Sequence, residues 1–191
     1  PMVETLRGTV TANSLWNGPA FGVVVSSLGS TVSYNRACMM YRYSNGNAII
    51  ASTGGSSVTI TDPGVISHNT IVSNKGGTGY RAGPGIMLTG PDATMMNDNY
   101  INVRLRGNNQ EYSVNLGGDQ QNGIYGFQLE SASNKTVYDN YVKVGTEYGE
   151  GHCARISGDL PYENNELYGN TFHAMLEEQD AGVLASKNFC S

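Results

Sequence analysis

Two short runs of this chain gather side chains that could do chemistry. Gly151-His152-Cys153-Ala154-Arg155-Ile156 supplies an imidazole and a guanidinium, and Tyr125-Gly126-Phe127-Gln128-Leu129-Glu130 supplies a phenol, an amide and a carboxylate. Between them the loop Gly145-Thr-Glu147-Tyr148-Gly-Glu150-Gly adds two carboxylates and another aromatic ring. Glu130 could serve as general acid or base, with His152 as a second proton carrier. Arg155 could bind substrate charge, because a guanidinium pairs with carboxylates in a two-pronged fork. Tyr125, Gln128, Glu147, Tyr148 and Glu150 are the candidate substrate-binding groups. A carboxylate, a guanidinium, an imidazole and aromatic faces are what an acidic or neutral glycan would meet. The same residues scattered over a strand surface would be ordinary solvated positions, so their placement matters more than their types.

That placement is governed by an internal repeat. Six segments share one pattern: Val10-Thr-Ala-Asn13-Ser-Leu15, Val32-Ser-Tyr-Asn35-Arg-Ala37, Ile66-Ser-His-Asn69-Thr-Ile71, Met96-Asn-Asp-Asn99-Tyr-Ile101, Val137-Tyr-Asp-Asn140-Tyr-Val142 and Leu167-Tyr-Gly-Asn170-Thr-Phe172. Each has an apolar residue three before the asparagine and another two after it. The spacings between asparagines are 22, 34, 30, 41 and 30 residues. Repeats whose stacked residues keep register while their loops vary in length are characteristic of a solenoid. An inward-turned asparagine can donate and accept, so a column of them can bond from one coil to the next and satisfy turn backbone that would otherwise be buried unpaired. The six asparagines are therefore read as scaffold.

A second pattern falls between these segments. Gly22-Val-Val-Val25, Asn47-Ala-Ile-Ile50, Gly85-Ile-Met-Leu88, Gly126-Phe-Gln-Leu129, Cys153-Ala-Arg-Ile156 and Gly182-Val-Leu-Ala185 are short strand-like runs, which gives two strands per coil. Strand side chains alternate between faces. With Val23, Ala48, Ile86, Phe127, Ala154 and Val183 turned inward, the outward column becomes Val24, Ile49, Met87, Gln128, Arg155 and Leu184. The next outward column becomes Ser26, Ala51, Thr89, Glu130, Ser157 and Ser186. Gln128, Glu130 and Arg155 then share one face. The aligned apolar members, Val24, Ile49, Met87 and Leu184, need a cover, either the insertions Gly76–Ala82 and Gly107–Gln121 or a partner. Alternation turns His152 inward, where a buried, hydrogen-bonded imidazole is expected; turned outward it would join Glu130 and Arg155.

The asparagine-centred repeat, joined to Gly-x-apolar strands, resembles the right-handed parallel β-helix of the pectate-lyase-like superfamily over roughly residues 9–186. The resemblance implies an all-β chain, a single-stranded right-handed parallel β-helix solenoid of about six coils, whose second set of strands lines a sugar-binding groove. Superfamily members include pectate lyases, polygalacturonases, alginate epimerases, phage tailspikes and non-catalytic surface proteins, so the fold alone does not assign an activity. Gly151-His152-Cys153 resembles the Gly-His-Gly strand of polygalacturonases. Where that family places two adjacent aspartates, however, this chain has Asn122-Gly-Ile-Tyr-Gly126. Inverting hydrolysis needs an acid and a base roughly 6.5–9.5 Å apart, and Asp119, Glu130, Glu147 and Glu150 do not match those positions. A pectate-lyase mechanism needs Ca²⁺ on clustered carboxylates, and no aspartate trio is present. No metal or other cofactor is implied.

Composition narrows the partners. Charged residues are 14% of the 191 and net charge is −5, with eleven scattered basic residues. No basic stripe could neutralise a run of phosphates, so nucleic acid is not an expected partner. No apolar run reaches the roughly 20 residues that span a bilayer, and no signal peptide is visible in a chain that opens with Pro1-Met-Val-Glu4 and is expected to be mature or excised. Twelve tyrosines and 25 glycines suit short strands and tight turns rather than disorder. Cys38, Cys153 and Cys190 lack metal-type spacing; they are expected as buried thiols, with a Cys153–Cys190 bridge the alternative. Asn134-Lys-Thr136 is a glycosylation sequon of a kind that is frequent by chance. Tyr100, Tyr138, Tyr141, Tyr168 and His173 flank the asparagines; strand tyrosines are good β-formers, and a second aromatic track for sugars is the other reading.

The chain is thus expected to be one domain, residues 1–191, of a larger protein or assembly. No capping helix precedes Thr9, and open solenoid ends expose strand edges, so a homo-oligomer or an end-on partner chain is expected. The leading functional expectation is an extracellular, cell-surface or virion-surface β-helix that binds polysaccharide and, if an enzyme, cleaves it. The competing expectation is a non-catalytic structural or adhesive module of a fibre, coat or filament that self-associates.

Overall fold

The computed structural model describes residues 3–5, 8–16, 23–26, 29–39, 50–53, 63–76, 84–106, 123–146, 150–157 and 163–176. The described residues form three six-stranded sheets, and every strand pair in them is parallel. The first sheet contains Val3–Thr5, Val23–Ser26, Ile50–Thr53, Ile86–Gly90, Gly123–Ala132 and Glu150–Ser157. The second contains Thr9–Thr11, Thr31–Ser33, Gly64–Ser67, Thr94–Asn97, Lys135–Tyr138 and Glu166–Tyr168. The third contains Ser14–Trp16, Arg36–Met39, Thr70–Gly76, Tyr100–Arg106, Tyr141–Thr146 and Thr171–Leu176. Each sheet takes every third strand of the chain. One buried cluster draws on all three, with Ile86 and Phe127 from the first, Ile66, Met96 and Val137 from the second, and Ile71, Ile101 and Val142 from the third. The arrangement is compatible with a parallel β-helix.

Two expectations from sequence need correction. There are three strands per repeat, because each asparagine-centred segment is bent into two. The residue before the asparagine adopts a left-handed backbone at Ala12, Tyr34, His68, Asp98 and Asp139 (φ between 52° and 55°) and at Gly169 (φ 64°). This bend sends the strand before it to the second sheet and the strand after it to the third. The outward columns also shift. Ile50, not Ala48, aligns with Val23 and Ile86, so Val24 pairs with Ala51, Ala51 with Met87, Met87 with Gln128 and Gln128 with Arg155. Thr53 thereby replaces Ala51 beside Ser26. Aligning repeats on a shared Gly or Asn fails here because the loops before these strands differ in length. Ala48, Ile49, Val183, Leu184, Ser186 and most of both proposed covering insertions lie outside the described residues.

The asparagine column is as expected. Asn13, Asn35, Asn69, Asn99 and Asn140 each donate from the backbone N–H (3.0–3.1 Å) and from Nδ2 (2.9–3.0 Å) to Oδ1 of the asparagine one coil on. From the second asparagine onward, Nδ2 also donates to the carbonyl three residues before the preceding asparagine: Val10, Val32, Ile66, Met96 or Val137, at 2.8–2.9 Å. Each internal carboxamide therefore ties three successive repeats together and pairs backbone groups of the bend that are buried.

A second inward row stands at the start of the second sheet, where Ser30, Thr94 and Lys135 are buried. Asn165 Oδ1 accepts from the Lys135 N–H (3.0 Å), and Asn165 Nδ2 donates to the Ala132 carbonyl (2.8 Å), copying the ladder geometry. The sequence reading missed this row because residue type varies along it.

Close approach excludes a side chain at Gly126. A Cβ there would lie 2.1 Å from Val142 Cγ1 and 2.6 Å from the Cys153 carbonyl oxygen. Gly126, within the strand Gly123–Ala132, is thus a point of close approach between the first and third sheets.

Candidate functional site

The parallel register of Gly123–Ala132 on Glu150–Ser157 sets Tyr125 beside His152, Gln128 beside Arg155 and Glu130 beside Ser157. Phe127 and Leu129 are wholly buried in the core, so Gln128 and Glu130 face away from it.

Arg155 makes the defining contact. Its Nη1 donates to the Tyr125 hydroxyl at 2.7 Å, and its guanidinium carbon lies 4.7 Å from the centroid of the Tyr125 ring. On the same ring Tyr125 stacks with His152, centroids 5.7 Å apart and planes 19° from parallel. The three side chains form one unit: a tyrosine body under a guanidinium and an imidazole. A guanidinium has five N–H donors, and one of them is used on Tyr125. The rest can form a fork to a carboxylate or to paired hydroxyls, from an orientation already fixed by the ring.

Burial separates the expected site residues into two groups. Tyr125 is 4% exposed and Gln128 8%, so they support the face and are not open to a ligand. Glu130 and His152 are exposed and Arg155 is half-buried. The inward, buried histidine expected from alternation is therefore corrected: His152 is on the outer face, held there by its stack on Tyr125. No ion pair joins Glu130 to Arg155 among the described residues; the guanidinium is engaged with the tyrosine instead. Glu147 and Tyr148 lie outside the described residues, and of Glu150 the backbone alone, paired with Gly123, is described. A second carboxylate across from Glu130 is thus not part of the described face.

Cys153 is a free, buried thiol whose Sγ lies 3.6 Å from the Val142 carbonyl, and burial pushes its pKa up. It does not form the bridge to Cys190 considered from sequence. Cys38 is disulfide-bonded, which corrects the expectation of a thiol there, and Cys190 lies outside the described residues. At the sequon, Asn134 Nδ2 donates to the Pro91 carbonyl (2.7 Å) and Oδ1 accepts from Asn164 Nδ2 (3.1 Å). A glycan on Asn134 would disturb these bonds between neighbouring coils. No helix is long and apolar enough to cross a membrane among the described residues.

No protein-family model matches this chain, and no curated protein and no solved structure matches it.

Proposed function

We propose that the chain is a single-stack, right-handed parallel β-helix of the pectate-lyase-like kind, placed at a cell or virion surface, that binds polysaccharide. Taking every third strand into each sheet, around one shared core, supports the helix reading. The disulfide at Cys38 suits an oxidising compartment. The observation that carries the binding reading is Arg155 held over Tyr125 beside an exposed imidazole and the exposed Glu130 carboxylate. Such a preorganised fork binds sugar carboxylates or paired hydroxyls at little entropic cost. Binding is favoured over cleavage because hydrolysis needs two facing carboxylates, and the described face presents Glu130.

Arg155→Ala is expected to weaken binding to polygalacturonate about tenfold or more, since a charge-assisted hydrogen bond contributes about 1.5–3 kcal/mol. Arg155→Lys, which keeps the charge and loses the fork, should recover only part of this. Affinity electrophoresis on a panel of acidic polysaccharides would measure both. Unchanged mobility of the Arg155→Ala protein would remove this face from the binding reading. Release of reducing ends or unsaturated uronate in the same samples would instead establish an enzyme, with Glu130→Gln as the variant that should stop turnover.

One observation favours the second reading, a self-associating structural module. Ile156, Leu167 and Phe172 are 53%, 38% and 45% exposed, yet Leu129, Val137 and Val142, their register partners one coil earlier, are wholly buried. Three apolar side chains, one from each sheet, thus stand uncovered on the last described coil. A mass that grows with concentration in light scattering, without saccharide binding, would favour assembly over recognition.

A further inference from the structure

The left-handed position before each ladder asparagine carries large polar side chains in four consecutive coils. Positive φ is uncommon for residues other than glycine, and asparagine, aspartate and histidine are the types enriched there. The position holds Tyr34, His68, Asp98 and Asp139 in consecutive coils, and Gly169 in the next, so Tyr34 is the one that this backbone conformation does not favour. These groups form a continuous exposed row along the bend between the second and third sheets. Tyr34, 63% exposed, stacks on His68 with centroids 4.8 Å apart and planes 23° from parallel. His68 Nε2 lies 3.8 Å from Asp98 Oδ2, which also accepts from Asn97 Nδ2 at 2.6 Å.

Two further aromatic rows flank this one in the later coils. Before the bend, Tyr138 stacks on Tyr168 at 5.2 Å and 12°; after it, Tyr100 stacks on Tyr141 at 5.3 Å and 4°, and Tyr141 meets His173 at 5.5 Å. Tyr100, Tyr141 and Tyr168 remain 40%, 36% and 52% exposed. Because each ring spends a face on its neighbour, these rows present less than their full faces to a ligand, and the Tyr100 hydroxyl accepts from Asn102 Nδ2 at 3.5 Å. Stacking also holds the rings in place, so little motion is left to lose on binding.

We propose that this bend is a binding site for a linear neutral polysaccharide lying along the stack, one sugar unit to a coil. The stacked tyrosine ring centroids recur at 5.2–5.3 Å, close to the length of a pyranose unit in an extended glycan. Asp98 and Asp139 accept hydrogen bonds from sugar hydroxyls and repel sugar carboxylates, which sets the ligand apart from the acidic one that Arg155 would take. The inference rests on reading the protein as a polysaccharide binder, but at a different surface and with ligands of different charge.

Calorimetric titration with cellohexaose, laminarihexaose, xylohexaose, mannohexaose and chitohexaose tests it on the full chain. At least one of these neutral probes should bind. The combined Tyr100→Phe, Tyr141→Phe and Tyr168→Phe variant keeps every ring and removes three hydroxyls, and should weaken that binding about tenfold or more. Asp98→Asn with Asp139→Asn, acceptable at positive φ, should weaken it as well. Circular dichroism and the urea midpoint identify any variant that has lost the fold. The proposal is overturned if no neutral probe binds, if the folded tyrosine variant binds as tightly as the parent, or if Arg155→Ala removes the binding. A neutral probe bound at the bend together with failure of polygalacturonate would sink the Arg155 reading and leave this one standing.

Discussion

Replacing Asn99 by alanine is expected to destabilise the protein by about 4 kcal/mol, from two or more buried groups orphaned at about 1–3 kcal/mol each plus a small cavity. Asn99 Oδ1 accepts from the Asn69 backbone N–H at 3.0 Å and from Asn69 Nδ2 at 2.9 Å. Its Nδ2 donates to the Ile66 carbonyl at 2.8 Å and to Asn140 Oδ1 at 2.9 Å. Alanine strands the Asn69 N–H and deprives the Ile66 carbonyl of this donor, both away from water. Asn99 Nδ2 also donates to the Asn97 carbonyl at 3.0 Å; Asn69 Nδ2 and Asn140 Oδ1 keep one partner each, Val32 O and Asn99 N, which holds the cost below the sum of all five bonds. Aspartate would fare no better, since it removes the donors and buries a charge. Asn13→Ala, at the exposed end of the same column, should cost only about 1 kcal/mol, because water can reach what it leaves unpaired. Urea unfolding of both variants against the parent measures the difference. Equal losses at the two positions would show that the ladder is not the source of the stability.

The second large effect is a dependence on alkaline pH that resides in Lys135. This side chain is 1% exposed, and its ammonium donates to the Asp92 carbonyl and lies 3.5 Å from Thr94 Oγ1. Burial lowers its pKa from 10.5 to about 8, although the Asp92 carboxylate pulls the other way. Between those two values the folded protein binds fewer protons at Lys135 than the unfolded chain does. Stability from this residue must therefore rise with pH across that window. Below it both states are charged and the folded state carries the full cost of a buried ammonium, about 3 kcal/mol at 1.36 kcal/mol per pKa unit. Tyrosines also titrate in this range, so the quantity to follow is the difference between the parent and Lys135→Met, which fills similar space without a charge. On going from about pH 8 to about pH 10.5 the parent should gain about 3 kcal/mol relative to the variant. A constant difference across the range would show that the lysine titrates in the fold as it does in the unfolded chain, with its ammonium in reach of water.

These two side chains show where sequence was informative. The asparagines were legible because one residue type recurs at one offset from two apolar positions, and a carboxamide is the short side chain that both donates and accepts at a bend. Lys135 occupies an equivalent inward row, but its column reads Ser30, Gly64, Thr94, Lys135 and Asn165, and no repeat of type marks it. Physical equivalence there comes from backbone register, which residue spacing does not report when loops vary in length.

For the candidate site, the sequence alone determined an all-β chain with six asparagine repeats and placed Gln128, Glu130 and Arg155 on one sheet face, because alternation is a property of any strand. Only the tertiary structure decided that a third strand starts after each asparagine, because the backbone inverts at the residue before it and that conformation has no unique residue type. It likewise decided that His152 faces outward, that Tyr125 and Gln128 are covered, and that Arg155 is engaged with a phenol and not with Glu130. Those outcomes depend on which side chain a neighbouring coil brings within about 3 Å, the reach of a hydrogen bond. Register across the sheet sets that distance, and the pattern within one strand does not.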